Sequence, residues 1–352
     1  MATIVRLPGL IDIHVHLRDP GQISKEDFYT GTYAALAGGV TTVFDMPNNL
    51  EPIFWHDKLF EKLKIAGNKA VCDWGLYFGS DGKNIEEFPK IIDKVVGLKI
   101  YLNLTTGRFS IEDDSLVEKV FKNWPQNKVI VVHAEGKKVD LVIELAFKYR
   151  KKLHITHIND RIMLEKIIEA KKSGLAMTCD VTPHHLFLNK NNITAGLFVV
   201  KPPLAGKRDV EFLWNHLDAI DCIATDHAPH TLKEKDTTSP PGGIPGLETM
   251  LPLMLTAVID KRLSIKDIIR MTNTNPQKIF GFSQDEDTYI EVDPQEKYLI
   301  ENKGLNTKCG WSPFAGREVE GRVKTVFIRG KKVLENNKLL VAPGFGKRIN
   351  PD

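Results

Sequence analysis

Two histidines one residue apart, His14 and His16, close the apolar run that begins at Gly9-Leu10-Ile11, and Arg18 follows them. Side chains alternate along a strand, so His14 and His16 would face one side and Val15 the other, and two imidazoles could grip one ion. A pair of half-buried core histidines is the alternative reading of this stretch. Further along, groups of the same kind recur at or near the ends of apolar runs: Lys99 in Gly97-Leu98-Lys99-Ile100-Tyr101, then His133, His157 and Asp226. Nitrogen and oxygen ligands of this kind suit zinc, with other divalent transition metals left open. An ammonium group among metal ions would be repelled, and a lysine loses its charge readily in such surroundings. The neutral amine can capture carbon dioxide and become a carbamate able to bridge two metals; a surface ion pair is the alternative for Lys99. Two cations sharing a site acidify a bound water and polarise a carbonyl oxygen, which points to metal-assisted hydrolysis of an amide or its reversal. Asp226 would bind one metal through one oxygen and keep the other free to move a proton, or serve as a ligand only.

Apolar runs of strand length lie at 10–17, 41–46, 73–78, 98–102, 129–133, 153–157, 176–181 and 221–225. Amphipathic stretches of helix length lie at 27–37, 57–66, 85–95, 112–122, 137–149, 163–172, 209–217 and 247–258. Strand followed by helix, repeated with near-continuous apolar strands, is the pattern of parallel strands buried on both faces. The expected fold is α/β, a (β/α)8 TIM barrel, with an open doubly wound sheet as the alternative. No glycine-rich phosphate fingerprint follows the first strand, which weakens the dinucleotide-binding form of that alternative. Barrel enzymes place their working residues at the carboxyl ends of the strands, and that rule gathers these four histidines, the lysine and the aspartate on one rim.

Past Asp260 the character changes. A helix is expected at 263–271, another opens at Asn275-Pro276, and strands are expected at 289–292 and 323–334 with a turn at Arg329-Gly330-Lys331-Lys332. The chain between, out to about Pro313, reads as irregular, and the tail from Pro343 as loosely held. The expected division is a barrel over 9–282 and a small β appendage over 283–352 joined by 1–8.

The 352 residues are 42% apolar and 26% charged, an ordinary globular composition. A net charge of +3 with scattered basic residues gives no nucleic-acid signature, and Lys137-Lys138 and Arg150-Lys151-Lys152 read as solvated helix faces and ends. Cys72, Cys179, Cys222 and Cys309 lie far apart without CxxC spacing, as in a reduced cytoplasmic protein. No apolar run approaches the roughly 20 residues of a membrane span, and no secretory signal pattern is present.

The segments His14-Val15-His16-Leu17-Arg18, Met46-Pro47-Asn48, Gly97-Leu98-Lys99, His133-Ala134-Glu135, Pro183-His184-His185-Leu186, Asp226-His227-Ala228-Pro229-His230 and Pro245-Gly246-Leu247-Glu248-Thr249 together resemble a dihydroorotase of the amidohydrolase superfamily. They look most like the dihydroorotase domain of the animal-type multifunctional pyrimidine polypeptide. The resemblance implies His14, His16 and Asp226 as ligands of one zinc, His133 and His157 as ligands of a second, and carboxylated Lys99 together with a hydroxide between the two. It implies Arg18, Asn48 and His230 as the holders of a dicarboxylate substrate, because a guanidinium fork grips a carboxylate with parallel hydrogen bonds. Gly242 and Gly243 could add backbone contacts, with a mere flexible turn as the equal alternative. Thr105 matches the family's active-site loop, with Thr106 where animal-type members often carry an aromatic. Lys201 stands where relatives place arginine or asparagine, keeping charge but losing the fork. Asp180 is a further candidate ligand or a partner that orients a metal histidine, or a simple turn cap; His184 and His185 read as structural.

The implied reaction is the reversible zinc-dependent closure of N-carbamoyl-L-aspartate into L-dihydroorotate and water in de novo pyrimidine synthesis. Asp226 would be the proton carrier, with ring closure favoured at lower pH. A dihydropyrimidinase, hydantoinase or allantoinase would use the same metals, but Arg18 and Asn48 recognise a ring carboxylate those substrates lack. A retired, non-catalytic scaffold domain is the alternative from another class. His14 arrives almost at once, so the chain is either a domain of a longer polypeptide or a compact stand-alone version. In the first case carbamoyl phosphate synthetase and aspartate transcarbamoylase modules would be its neighbours; a homodimer is expected in either.

Overall fold

The structure, a computed structural model, describes residues 4–103, 109–192 and 196–350. Eight parallel strands form one sheet in chain order: β2 (Leu10–Val15), β3 (Val40–Asp45), β4 (Asp73–Gly79), β5 (Gly97–Tyr101), β6 (Ile130–His133), β7 (Leu153–Ile155), β8 (Met177–Val181) and β9 (Cys222–Ile223). A preceding strand, β1 (Val5–Pro8), joins β10 (Tyr289–Leu299), β11 (Glu318–Ile328), β12 (Lys331–Glu335) and β13 (Lys338–Leu339) in a second, antiparallel sheet. The ring is drawn shut between β2 and the segment leaving β9, where Val15 bridges His227 and the His16 amide donates to the His227 carbonyl at 2.8 Å. Thr225 adds its hydroxyl and amide to the fully buried Asp12 carboxylate, at 2.5 and 3.2 Å.

Alternation on the strands sorts the side chains into two cores. On β5, Leu98 and Ile100 pack outward under the helices. On β6, Ile130 and Val132 do the same, while Val129 and Val131 fill the interior with Ile11, Ile13, Phe44, Tyr77, Phe280 and Phe282. The helix Asn275–Phe280 brings Phe280 into that interior, edge-on to Phe44 at 5.0 Å. β2 breaks the simple period. Its register against β3 shifts between Asp12 and Val15, so Ile11 and Ile13 fill the interior and yet His14 and His16 also reach inward, with Val15 in the outer core. A shift of this kind re-aims side chains beside active sites.

All eight barrel strands overlap the expected apolar runs, and seven of the eight helices follow. The eighth, expected at 85–95, is a 3-10 turn, Ile85–Glu87, running into the short helix Phe88–Ile91. Three further expectations are corrected. Strand β10 continues to Leu299 through two register shifts rather than ending at Val292, because its far half ladders onto Glu318–Glu320. The tail is held: the Gly346, Lys347 and Ile349 amides donate to Ala70 O, Asp73 Oδ1 and Trp74 O at 3.0, 2.8 and 2.7 Å. Lys151 is only 5% exposed, its Nζ capped by the Trp124 carbonyl, so it belongs to the interior and not to a solvated helix end. Among the described residues no helix is long and apolar enough to cross a membrane.

Candidate active site

The carboxyl ends of the barrel strands carry the candidate residues. His14 Nε2 and His16 Nε2 lie 3.3 and 2.9 Å from Asp226 Oδ1, and all three residues are buried. Their ligand atoms lie within 4.8 Å of one another. Neutral imidazole nitrogens and a carboxylate oxygen are all electron-pair donors, so their convergence is favourable only with a proton or a cation among them. Burial, reinforced by the neighbouring Lys99 and the other histidines, holds His14 well below the usual histidine range and therefore neutral. Opposite, His133 Nδ1 faces His157 Nε2 at 2.9 Å, and the His14 and His157 ring centres are 5.3 Å apart. Burial likewise lowers His133 and, with His133 beside it, His157. The donor set is therefore of the kind that takes a metal ion.

Lys99 is fully buried on β5, with its Nζ donating to Thr156 Oγ1 at 3.1 Å. Desolvation brings its pKa down to about 7 against the opposing pull of Asp180 and Asp226, so a substantial fraction of the amine is unprotonated near neutrality. Three site residues, Arg18, His157 and Asp226, hold φ angles of +64°, +43° and +47°, a left-handed conformation that costs a non-glycine residue strain and persists where surrounding contacts enforce it. At His157 the enforcement is visible: its amide donates to Asp180 Oδ1 at 2.7 Å, while Asp180 Oδ2 meets His154 Nε2 at 2.9 Å. Among the described residues, then, Asp180 bonds to the turn that carries His157 and to a buried histidine on β7.

Arg18, 5% exposed, bonds through Nε to Pro229 O and through Nη2 to His230 Nε2, both at 3.2 Å. Burial together with Arg18, Lys25 and Lys235 pushes His230 down to about 2, so its imidazole is neutral at any working pH. Asn48 Oδ1 meets His16 Nδ1 at 2.6 Å, which gives Asn48 a hold on that ring as well as a place in the cleft wall. Arg18 and Asn48 line one cleft with His14, His16, His133, His157 and Asp226 and with Tyr101, Lys201, Gly242 and Gly243, whereas His230 is not part of its wall and meets Arg18 from outside the lining. Lys235 braces the last of these segments: its buried Nζ donates to the carbonyls of Val199, Pro241 and Gly243 at 2.9, 2.9 and 3.0 Å. His185 is tied to Thr182 Oγ1 and Pro202 O at 2.8 and 3.2 Å beneath that wall, a structural place for the Pro183-His184-His185 segment. Thr105 and Thr106 lie outside the described residues.

Several supporting groups escaped the sequence reading. Asp12 and Tyr101 each lie two positions from a candidate ligand on the same strand, and that spacing was the available signal. Glu26, fully buried, receives Thr307 Oγ1 and faces His227 Nε2 at 3.3 Å, while His227 Nδ1 accepts from the Gly246 amide at 3.1 Å. The two contacts made by Glu26 join residues 201 and 281 positions apart, which no local pattern announces.

An eight-stranded parallel barrel with paired histidines and an aspartate at its carboxyl rim, able to hold a metal ion, is the arrangement of a barrel hydrolase. The amidohydrolase family model matches residues 5–333. The chain is 45% identical over 351 residues to multifunctional protein CAD of Squalus acanthias, covering 98% of this chain but 16% of that much longer protein. It is 35% identical over 366 residues to the dihydroorotase of Pyrococcus furiosus, covering 98% of this chain and 85% of that one. The L-hydantoinase of Arthrobacter aurescens superposes with a TM-score of 0.93 at 26% identity, over 99% of this chain and 89% of that one. The chain belongs to the amidohydrolase family and, within it, to the dihydroorotases.

Proposed function

We propose that the chain reversibly closes N-carbamoyl-L-aspartate into L-dihydroorotate and water, a step of pyrimidine synthesis. The reading is supported above all by the near full-length likeness to a dihydroorotase of similar size together with the buried His14, His16 and Asp226 cluster beside a buried arginine. In it, His14, His16 and Asp226 hold one zinc ion, His133 and His157 a second, and Lys99, carboxylated, lies between the two. Ions bound there would lower the pKa of a water to near neutrality and polarise the carbonyl under attack.

The chain's own groups do the rest. Asp226 turns Oδ1 toward His14 and His16, leaving Oδ2 to take a proton and pass it to the departing ring nitrogen in the hydrolytic direction. Closure runs through the same atom with the opposite protonation, so it is favoured at lower pH. Arg18 grips a carboxylate with the guanidinium edge not used by Pro229 and His230, and Lys201 and the Gly242 segment, on the same cleft wall, complete the grip. Asn48 keeps the His16 ring oriented while facing the same cleft. Carbamoyl phosphate synthetase and aspartate transcarbamoylase modules, and a second copy of the chain, are the partners this reading implies, in the cytoplasm.

The deciding experiment is a ring-closure assay on carbamoyl aspartate with the wild type, Lys99→Ala and Asp226→Ala, with metal analysis of each sample. Turnover by the wild type and losses of at least about a hundredfold in both variants are expected. A zinc-loaded wild type that processes dihydropyrimidines or hydantoins but not carbamoyl aspartate would overturn the reading.

A further inference from the structure

Tyr101 follows Lys99 by two positions on β5 and therefore shares its inward face. Its ring centre lies 5.1 Å from Lys99 Nζ and 6.3 Å from the His133 ring, and the residue lines the same cleft as Arg18 and Asp226. The side chain is 3% exposed, and its hydroxyl is buried without a hydrogen-bond partner among the described residues. A buried hydroxyl left unpaired lowers stability, whereas phenylalanine would supply the same ring without that penalty. The hydroxyl is thus a donor held in reserve in a cleft whose other donors are partly committed: Arg18 already spends Nε on Pro229 O and Nη2 on His230. A carboxylate brought into such a cleft has about four acceptor sites to satisfy, more than the remaining guanidinium edge supplies.

We propose that the Tyr101 hydroxyl is a substrate contact, donating a hydrogen bond to the carboxylate that Arg18 holds. The inference rests on the ring-closure reading and adds a residue to its binding machinery. A neutral phenol suits this place because it supplies a directional donor without bringing a further cation toward the metal ligands.

The test compares Tyr101→Phe with the wild type as metal-loaded protein. Carbamoyl aspartate affinity is measured by calorimetry, KM and kcat in the closure assay, and stability by thermal unfolding. The expected result is an affinity loss and a KM increase of about tenfold, kcat within about twofold, and an unchanged or higher melting temperature. An affinity within twofold of the wild type overturns the proposal, as does a fall in kcat at constant KM, which would move the hydroxyl to the reacting centre. A lowered melting temperature accompanying the loss would make Tyr101 structural and overturn it too. If the wild type binds carbamoyl aspartate without turning it over, the ring-closure reading fails while calorimetry still decides Tyr101. A wild type that does not bind it overturns both.

Discussion

Lys62 and Asp45 form an ion pair sealed from solvent, Nζ to Oδ2 2.6 Å, at 0% and 1% side-chain exposure. Asp45 Oδ1 accepts the Leu17 amide at 2.6 Å, between His16 and Arg18, while Lys62 Nζ donates to Met46 O and Asn49 Oδ1 at 2.8 and 2.7 Å, on either side of Asn48. The pair therefore fixes both segments from which His16, Arg18 and Asn48 project. Removing one partner strands a buried charge, so Lys62→Met should cost about 3–5 kcal/mol of stability, read as a fall in the urea midpoint. Replacing both, in Lys62→Met with Asp45→Leu, should cost less than the sum of the single changes.

Lys99 sets a second, opposite expectation. Its pKa is about 7 in the fold against 10.5 in an unfolded chain, so between those values the native state binds fewer protons. The penalty of burying the ammonium is full below pH 7 and fades as pH rises toward 10.5. Lys99→Met in metal-free protein should therefore be more stable than the wild type by a few kcal/mol at pH 6–7, with the advantage shrinking at higher pH, and should be inactive. Unfolding curves at pH 6, 8 and 10 measure this. A constant difference across that range would refute the burial argument.

Lys201 offers charge without a fork on the cleft wall. Lys201→Arg should lower the KM for carbamoyl aspartate a few-fold with little change in kcat, because a guanidinium binds a carboxylate through two aligned donors. Steady-state kinetics at saturating metal decide it, and an unchanged or raised KM would mean that Lys201 does not reach the substrate.

Metal removal should loosen the barrel at one place. His14 and His16 come from β2 and Asp226 from the segment after β9, the two sides across which the ring is shut by the Val15 to His227 bridge and the Asp12 to Thr225 contacts. Chelation should lower the melting temperature, and the protection of amide hydrogens should fall most around 14–17 and 224–228. Uniform loss of protection around the ring would argue against a metal clasp at that seam.

The strands and the ligand candidates were legible because both depend on short-range order: alternation places Lys99 inward, and His14 and His16 announce themselves by spacing. The register shift on β2 was not legible, since a strand that fills the interior with Ile13 and then turns His14 inward looks in sequence like plain alternation. Nor was the support beneath the site. Asp12, Glu26, Asp45 and Lys62 are charged residues with partners up to 282 positions away, and composition alone assigns such residues to the surface. The hold on the tail is hidden for the same reason: the glycines and proline at 343–346 suggest looseness until the Ala70 carbonyl is seen to receive the Gly344 and Gly346 amides, and Asp73 and Trp74 those of Lys347 and Ile349.

The antiparallel sheet carries a consequence for biogenesis. Val5 finds its partner in Val292, so all eight barrel strands, which lie between these two residues in the chain, are made before β1 can pair. Contacts between segments so distant close late, which slows folding and leaves the edge around Val5 open to mispairing until they do.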